Sequence, residues 1–181
     1  GGAGLHRGGN GVCMVYEFLE PGQISIHDDR WLTYPWGVNG GLPGGRSTKR
    51  LVRQDGSSEW LPSKCDRIQV KPGDQLYFNT WGGGGWGDSL KREPAKVAAD
   101  VLRGLVSVEG ARRYGVVVNA AGVVDEAATK KLREDMTAKR PPLELFNRGG
   151  TIEELKACAL EETHLPPPKS PVFNVRHTGK A

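Results

Sequence analysis

The chain has 181 residues, enough to bury a core in one domain or in one domain with an extension. Its net charge of +4 is spread along the sequence, with no Lys/Arg block interleaved with aromatics, which argues against a nucleic-acid partner. No apolar run is long enough for a membrane span and no signal peptide is legible. Cys13, Cys65 and Cys158 are too scattered for a disulfide framework or a zinc site, so a reducing, cytoplasmic setting is expected.

Six glycines surround Leu5, His6 and Arg7 in the first eleven residues. Arg7, Gly8, Gly9, Asn10 and Gly11 suit either an anion cradle, with a guanidinium beside free N–H groups, or a pliant entry to a strand. Residues 12–19 are β-branched and aromatic and read as a strand. Glu20, Pro21, Gly22 and Gln23 then form a turn, and the alternating residues 24–27 complete a hairpin. His27, Asp28, Asp29 and Arg30 have residue types that suit a divalent ion. Neighbours on a strand face opposite ways, however, so a charged strand end is the better reading.

Trp31, Tyr34, Pro35 and Trp36 lead into a loop holding Gly40, Gly41, Pro43, Gly44 and Gly45, either a pocket lining or ordinary core filling. Residues 47–53 alternate with a basic bias, and Asp55 with Gly56 is a turn signal. Residues 60–65 read as an edge or loop, 68–70 as a short strand, 71–74 as a turn and 75–78 as a strand.

That last strand enters the most distinctive stretch, in which Gly82, Gly83, Gly84 and Gly85 stand between Trp81 and Trp86 and are followed by Gly87, Asp88 and Ser89. Four successive glycines are a costly way to build a plain connector, because glycine loses the most conformational freedom on folding. A glycine loop between a strand and a helix can cradle an anion with its N–H groups. No Lys follows the run, so it is not a Walker A loop. The alternative is a structural loop that lets Trp81 and Trp86 fold back onto the sheet.

Beyond Pro94 the pattern becomes helical. Val97, Ala98, Val101 and Leu102 recur at helical spacing up to Gly104. Ser107 caps a short helix to Arg113, and residues 116–118 and 123–124 form a small hairpin. Asp125 caps a helix to about Lys139 with Ala128, Leu132 and Met136 on one face. Thr151 and Glu154 form a capping box for a last helix to about Glu162. Pro166, Pro167 and Pro168 begin an extended tail. The expected class is α+β: a β-rich, glycine-looped region at 1–90, a helix-hairpin-helix region packed on it at 91–140, and a helix with a proline-rich tail at 141–181.

Three blocks stand in order: Gly1, Gly2, Ala3 and Gly4 with residues 7–11; Pro35, Trp36 and Gly37 with Gly40, Gly41, Pro43 and Gly44; and residues 82–89 followed by Val97, Asp100, Val101, Gly104, Tyr114 and Gly115. Together they resemble the C-terminal part of the hydantoinase B family, the B-type (or α) subunits of N-methylhydantoinases, 5-oxoprolinases and acetone or acetophenone carboxylases. The likeness covers about residues 1–138.

The resemblance implies an ATP-dependent complex that opens a cyclic amide or carboxylates a ketone, activating the substrate oxygen by phosphorylation. The partners it implies are the upstream part of the same B-type subunit, an actin-like ATPase A-type subunit and a small-molecule substrate. It places ATP and a divalent metal largely outside this segment, which by itself is then expected to be inactive. Within the chain the substrate- or phosphate-binding expectation falls on Gly82, Gly83, Gly84, Gly85 and Asp88, with Arg7, Gly8 and Gly9. No residue stands out as a nucleophile. A scaffold segment of such a complex, or a separate binding module using Trp31, Tyr34 and Trp36, are the non-catalytic alternatives.

Overall fold

Seven strands precede the three α-helices in the computed structural model, which describes residues 1–167. They are β1 (Cys13–Glu17), β2 (Gly22–His27), β3 (Gly37–Val38), β4 (Thr48–Val52), β5 (Ser58–Trp60), β6 (Lys64–Val70) and β7 (Gln75–Asn79). The helices are α1 (Pro94–Leu102), α2 (Glu126–Lys139) and α3 (Ile152–Thr163), with β8 (Phe146–Asn147) between the last two. The strand-rich first half and helical second half make the fold α+β. Pro168, His177 and the rest of the expected tail lie outside the described residues.

An antiparallel sheet runs β1-β7-β4-β5, beside a β2–β6 ribbon and the short β3–β8 pair. The expected hairpin of the first two strands does not form, because β1 pairs with β7 and β2 with β6. Both amide and carbonyl of Phe18 bond to the turn between β6 and β7, Phe18 N to Asp74 O at 3.0 Å and Gly73 N to Phe18 O at 2.8 Å. The linker after β1 therefore lies along that turn, and the two strand pairs continue one another. This long-range pairing joins Ile26 of β2 and Val70 of β6 to Leu51, Leu61 and Leu76 in one buried cluster. β6 also starts four residues before its expected Ile68, at Lys64.

A second core forms in the helical half from Val97, Ala98, Ala111, Tyr114, Val116 and Val118, with Ala3 from the first glycine segment. Pro94 occupies the first turn of α1, where no N–H is needed, and Gly104 follows the helix at φ +69°. The short helix expected to end at Arg113 is a 3-10 turn, Gly110–Tyr114, closed by Gly115 in the left-handed region. Val118 and Val124 meet in a single antiparallel bridge where a small hairpin was expected. The Asp125 carboxylate accepts from Ala128 N at 2.9 Å to start α2, and Thr151 with Glu154 forms a complete capping box on α3.

Between the two cores the chain packs backbone against backbone. Residues 82–87 run on from β7 and are walled by the 1–9 segment on one side and residues 36–45 on another. A Cβ on Gly84 would strike the Trp36 carbonyl oxygen, one on Gly85 the Ala3 oxygen, one on Gly8 the Gly83 oxygen and one on Gly41 the Gly85 oxygen. None of these four glycines has positive φ, so what excludes a side chain is the neighbouring backbone and not the torsion. Trp81 and Trp86 flank the run 42% and 47% exposed, with the Trp86 ring 5.5 Å from that of His6.

Two alanine substitutions separate this packing from generic glycine flexibility. Gly84→Ala is expected to cost at least about 3 kcal/mol, because a carbonyl held by the chain cannot step aside as a side chain can. At Gly45 an added Cβ meets nothing within 4 Å. Gly45→Ala should be neutral or stabilising by roughly 0.5 kcal/mol through the unfolded state. Urea denaturation of the two variants beside the parent checks both, and equal stabilities would contradict the packed arrangement.

Candidate functional site

The glycine run turns its hydrogen-bonding groups into the protein. Gly82 N donates to Gly45 O at 3.2 Å, Gly83 N to Gly9 O at 2.8 Å and Gly85 N to Leu42 O at 2.9 Å. Two of its carbonyls are engaged as well, Gly83 O by Gly2 N at 2.8 Å and Gly85 O by Val38 N at 2.9 Å. Among the described residues only the Gly84 N–H of these four has no protein partner. This differs from the anion-facing cradle expected of the loop. Buried backbone must be paired, and the nearest acceptors are the carbonyls of the two flanking segments. Gly8 N donates to Gly2 O at 2.9 Å, and Gly9 serves through its carbonyl.

Arg7 is likewise occupied. Its Nη1 donates to Gly8 O and to Asn10 Oδ1, both at 2.8 Å, and its Nε faces the Asp100 carboxylate at 3.6 Å. Arg92 shares that carboxylate at 2.8 Å and donates to Leu5 O at 3.0 Å. Two guanidiniums thus fasten the first glycine segment to the buried Asp100 of α1. An anion drawn to Arg7 would have to compete with Asp100 for it.

Asp88 ends the glycine run and is buried. It caps the 3-10 turn Ser89–Lys91 by accepting from Leu90 N at 3.0 Å. Its two oxygens also receive a forked pair of bonds from Arg140, the residue after α2, at 2.7 and 2.9 Å. The Arg140 guanidinium holds the Asp88 carboxyl below its ordinary value. Asp88 is thus joined to the helical half by the geometry in which arginine binds carboxylate best.

The sequence also hid a charged cluster in the sheet. Lys49, within the basic alternating stretch 47–53, is 1% exposed and contacts the buried Asp28 carboxylate, with Ser47 Oγ 3.0 Å from its Nζ. Burial draws the Lys49 ammonium down to about 8, although it touches the buried Asp28 carboxylate. The available signal was the strand period, since Lys49 shares its face with the fully buried Leu51. Asp28 therefore turns inward from the end of β2, away from the exposed His27 and Asp29. Arg46, also buried, donates to Trp31 O at 2.7 Å and pairs with Glu162, fixing α3 to the second glycine loop.

A cleft of about 700 Å³ opens between the end of α2, residues 40–42 and the 141–154 segment. Asp88, Arg140, Arg113 and Arg148 stand in its wall with apolar side chains that include Leu90 and Met136. Among the described residues no three His, Cys, Asp or Glu side chains are arranged to hold a metal ion. No described helix is long and apolar enough to cross a membrane.

Asp88→Asn tests the joint at the end of the glycine run. It should lower stability by roughly 2 kcal/mol at neutral pH, the scale of hydrogen bonds to a charged group. A carboxyl with a depressed folded-state pKa stabilises most above its unfolded value, here 3.8. The gap between parent and variant should therefore be constant above about pH 5 and close as pH falls through the folded-state pKa. Denaturation at several pH values measures it, and a gap that widens in acid would contradict the pairing.

Comparison with known proteins places this architecture. Residues 1–89 match the family model described as Hydantoinase B/oxoprolinase. The chain is 36% identical over 138 residues to the caprolactamase subunit beta of Pseudomonas jessenii, covering 71% of the chain and 23% of that subunit. It is 38% identical over 137 residues to an uncharacterised protein of Methanocaldococcus jannaschii, covering 74% and 24%. The crystal structure of the ATP-dependent caprolactamase from Pseudomonas jessenii superposes with a TM-score of 0.59 at 34% identity, over 73% of this chain and 24% of that one. A nucleotide-free acetone carboxylase shares the fold, with a TM-score of 0.55 at 21% identity over 90% of this chain and 26% of that one. The chain spans about a quarter of the length of these relatives. The backbone-packed glycine segments lie within residues 1–89, and by these matches the chain belongs to the hydantoinase B/oxoprolinase family.

Proposed function

We propose that this chain is part of the B-type subunit of an ATP-dependent cyclic-amide hydrolase, and that its glycine segments act there as a rigid scaffold. The observation that carries the reading is the 36% identity to a caprolactamase beta subunit over 138 residues, 71% of this chain. The engaged N–H groups of Gly82, Gly83 and Gly85 support the scaffold role. The rest of the B-type polypeptide and an actin-like ATPase subunit are the proposed partners, and a small cyclic amide is the substrate. Unstrained lactams resist hydrolysis, so ATP would supply the driving force by converting the carbonyl oxygen into a leaving group. That chemistry, with its divalent metal, belongs to residues outside this segment. The part given to this chain is to hold fixed the surface on which the remaining polypeptide closes.

The native assembly, isolated through a tag on this chain, tests the activity. ATP hydrolysis should be coupled to ring opening of one of ε-caprolactam, hydantoin or 5-oxoproline. A response only to a ketone with bicarbonate would overturn the hydrolase reading in favour of a carboxylase. The scaffold role is tested in the same assembly. Gly84→Ala should lower the melting temperature while turnover per folded molecule stays within about twofold of the parent. A loss of about 100-fold at unchanged stability, the scale of one oxyanion donor, would instead put the free Gly84 N–H at the reacting oxygen.

A further inference from the structure

We infer that the 700 Å³ cleft beside Asp88 binds an amphiphilic monocarboxylate, an anionic head on an apolar body. Its size falls within the range of small-molecule pockets, roughly 300–1,000 Å³. Leu42, Leu90, Met136, Leu143 and Phe146 supply the apolar wall. Leu143 and Phe146 are about half exposed there, so an apolar ligand would cover surface that otherwise faces water.

The charges in the wall decide the head group. Asp88, Glu144 and Glu154 stand opposite Arg113, Arg140 and Arg148. Asp88 and Arg140 cancel in their forked pair. Glu154 is compensated where it sits, because Oε2 accepts from Thr151 N at 2.7 Å at the positive end of α3. Two arginines and Glu144 remain. Neither Arg113 nor Arg148 meets a carboxylate within ion-pairing distance among the described residues. Arg113 makes one long bond, Nη2 to Pro43 O at 3.4 Å, and Arg148 lies 4.9 Å from the centre of the Trp36 ring. One net positive charge beside a mostly apolar wall selects a monoanion carrying hydrocarbon. A bare phosphate would leave the wall wet, and a cation would face two guanidiniums.

The inference stands apart from the cyclic-amide reading, and its test needs no turnover. The full 181-residue chain is titrated calorimetrically with octanoate, octylamine and inorganic phosphate. Octanoate should bind saturably to one site, with octylamine and phosphate at least about tenfold weaker. Arg113→Gln and Arg148→Gln should each weaken octanoate binding by about tenfold, the scale of a lost charge-assisted hydrogen bond. Arg113→Lys and Arg148→Lys, which keep the charge, should retain most of the affinity and serve in place of any glutamine variant with a lowered melting temperature. Octylamine binding as tightly as octanoate, or octanoate binding unchanged in both glutamine variants, would overturn the proposal. So would no saturation by roughly 10 mM octanoate, weaker than small-ligand sites usually are.

Discussion

Contact between bare backbones organises this chain. Where residues 1–9, 36–45 and 82–87 meet, an added Cβ at Gly2, Gly8, Gly37, Gly41, Gly84 or Gly85 would collide with a neighbouring carbonyl or peptide group. Glycine lets three extended segments approach until their peptide groups bond directly, an approach any side chain would prevent. The entropy lost in ordering so many glycines is large, and dense hydrogen bonding with no side chains to hold apart offsets it. The two hydrophobic clusters sit on either side of this junction and are small, five and seven buried residues. Neither contains the junction, although Ala3 and the partly buried Leu42 extend the helical cluster to its border.

Ion pairs with at least one buried partner fasten the other elements to this centre. Arg7 and Arg92 converge on Asp100 of α1, Arg140 forks onto Asp88, and Arg46 reaches Glu162 of α3. Such pairs add little net stability compared with apolar packing, but losing one partner strands a buried charge. They also demand one geometry. A helix held by a forked arginine cannot slide along the junction as it could on a greasy face, and the weakly amphipathic α2, with only Thr129 buried, is placed by polar contacts: Arg140 on Asp88, Arg133 on the Tyr114 and Arg92 carbonyls, and Thr129 on Val117 N. Lys49 with Asp28 does the same work inside the sheet, where β2 and β4 belong to different strand pairs.

The family relationship and the geometry bear on different parts of one question. Likeness to a caprolactamase subunit gives the family, and this chain spans about a quarter of that subunit's length. The geometry shows three segments whose backbone groups bond largely to one another where they meet. The cleft beside Asp88 is the exception. There the 141–154 segment returns to the glycine-rich core, with Phe146 edge-on to Trp36 and Arg148 over the same ring, and Arg113 and Arg148 line an apolar wall without a carboxylate partner among the described residues.

Much of the secondary structure was legible because it depends on near neighbours. The caps at Asp125 and Thr151, the proline start of α1, the stop at Gly104 and the strand entering the glycine run all rest on contacts within a few residues, and all are found. The glycine run marked the position where backbone had to come close to something, and the sequence alone determined that. What it came close to was decided by tertiary structure, because a glycine carries no chemistry to distinguish a phosphate from another peptide group. The same limit hid the partners of the strands. β1 followed by a turn and β2 reads as a hairpin, and only β6 and β7, some 40 or more residues on, could displace that pairing by burying Ile26 with Val70 and Leu76. Arg7, Lys49 and Asp88 were visible as charges, but the carboxylates and guanidiniums that neutralise them lie 21 to 93 residues away. Local sequence determines which torsions and caps a segment prefers; which charge meets which is settled only when distant segments share one interior and a charge left without its partner becomes too costly to bury.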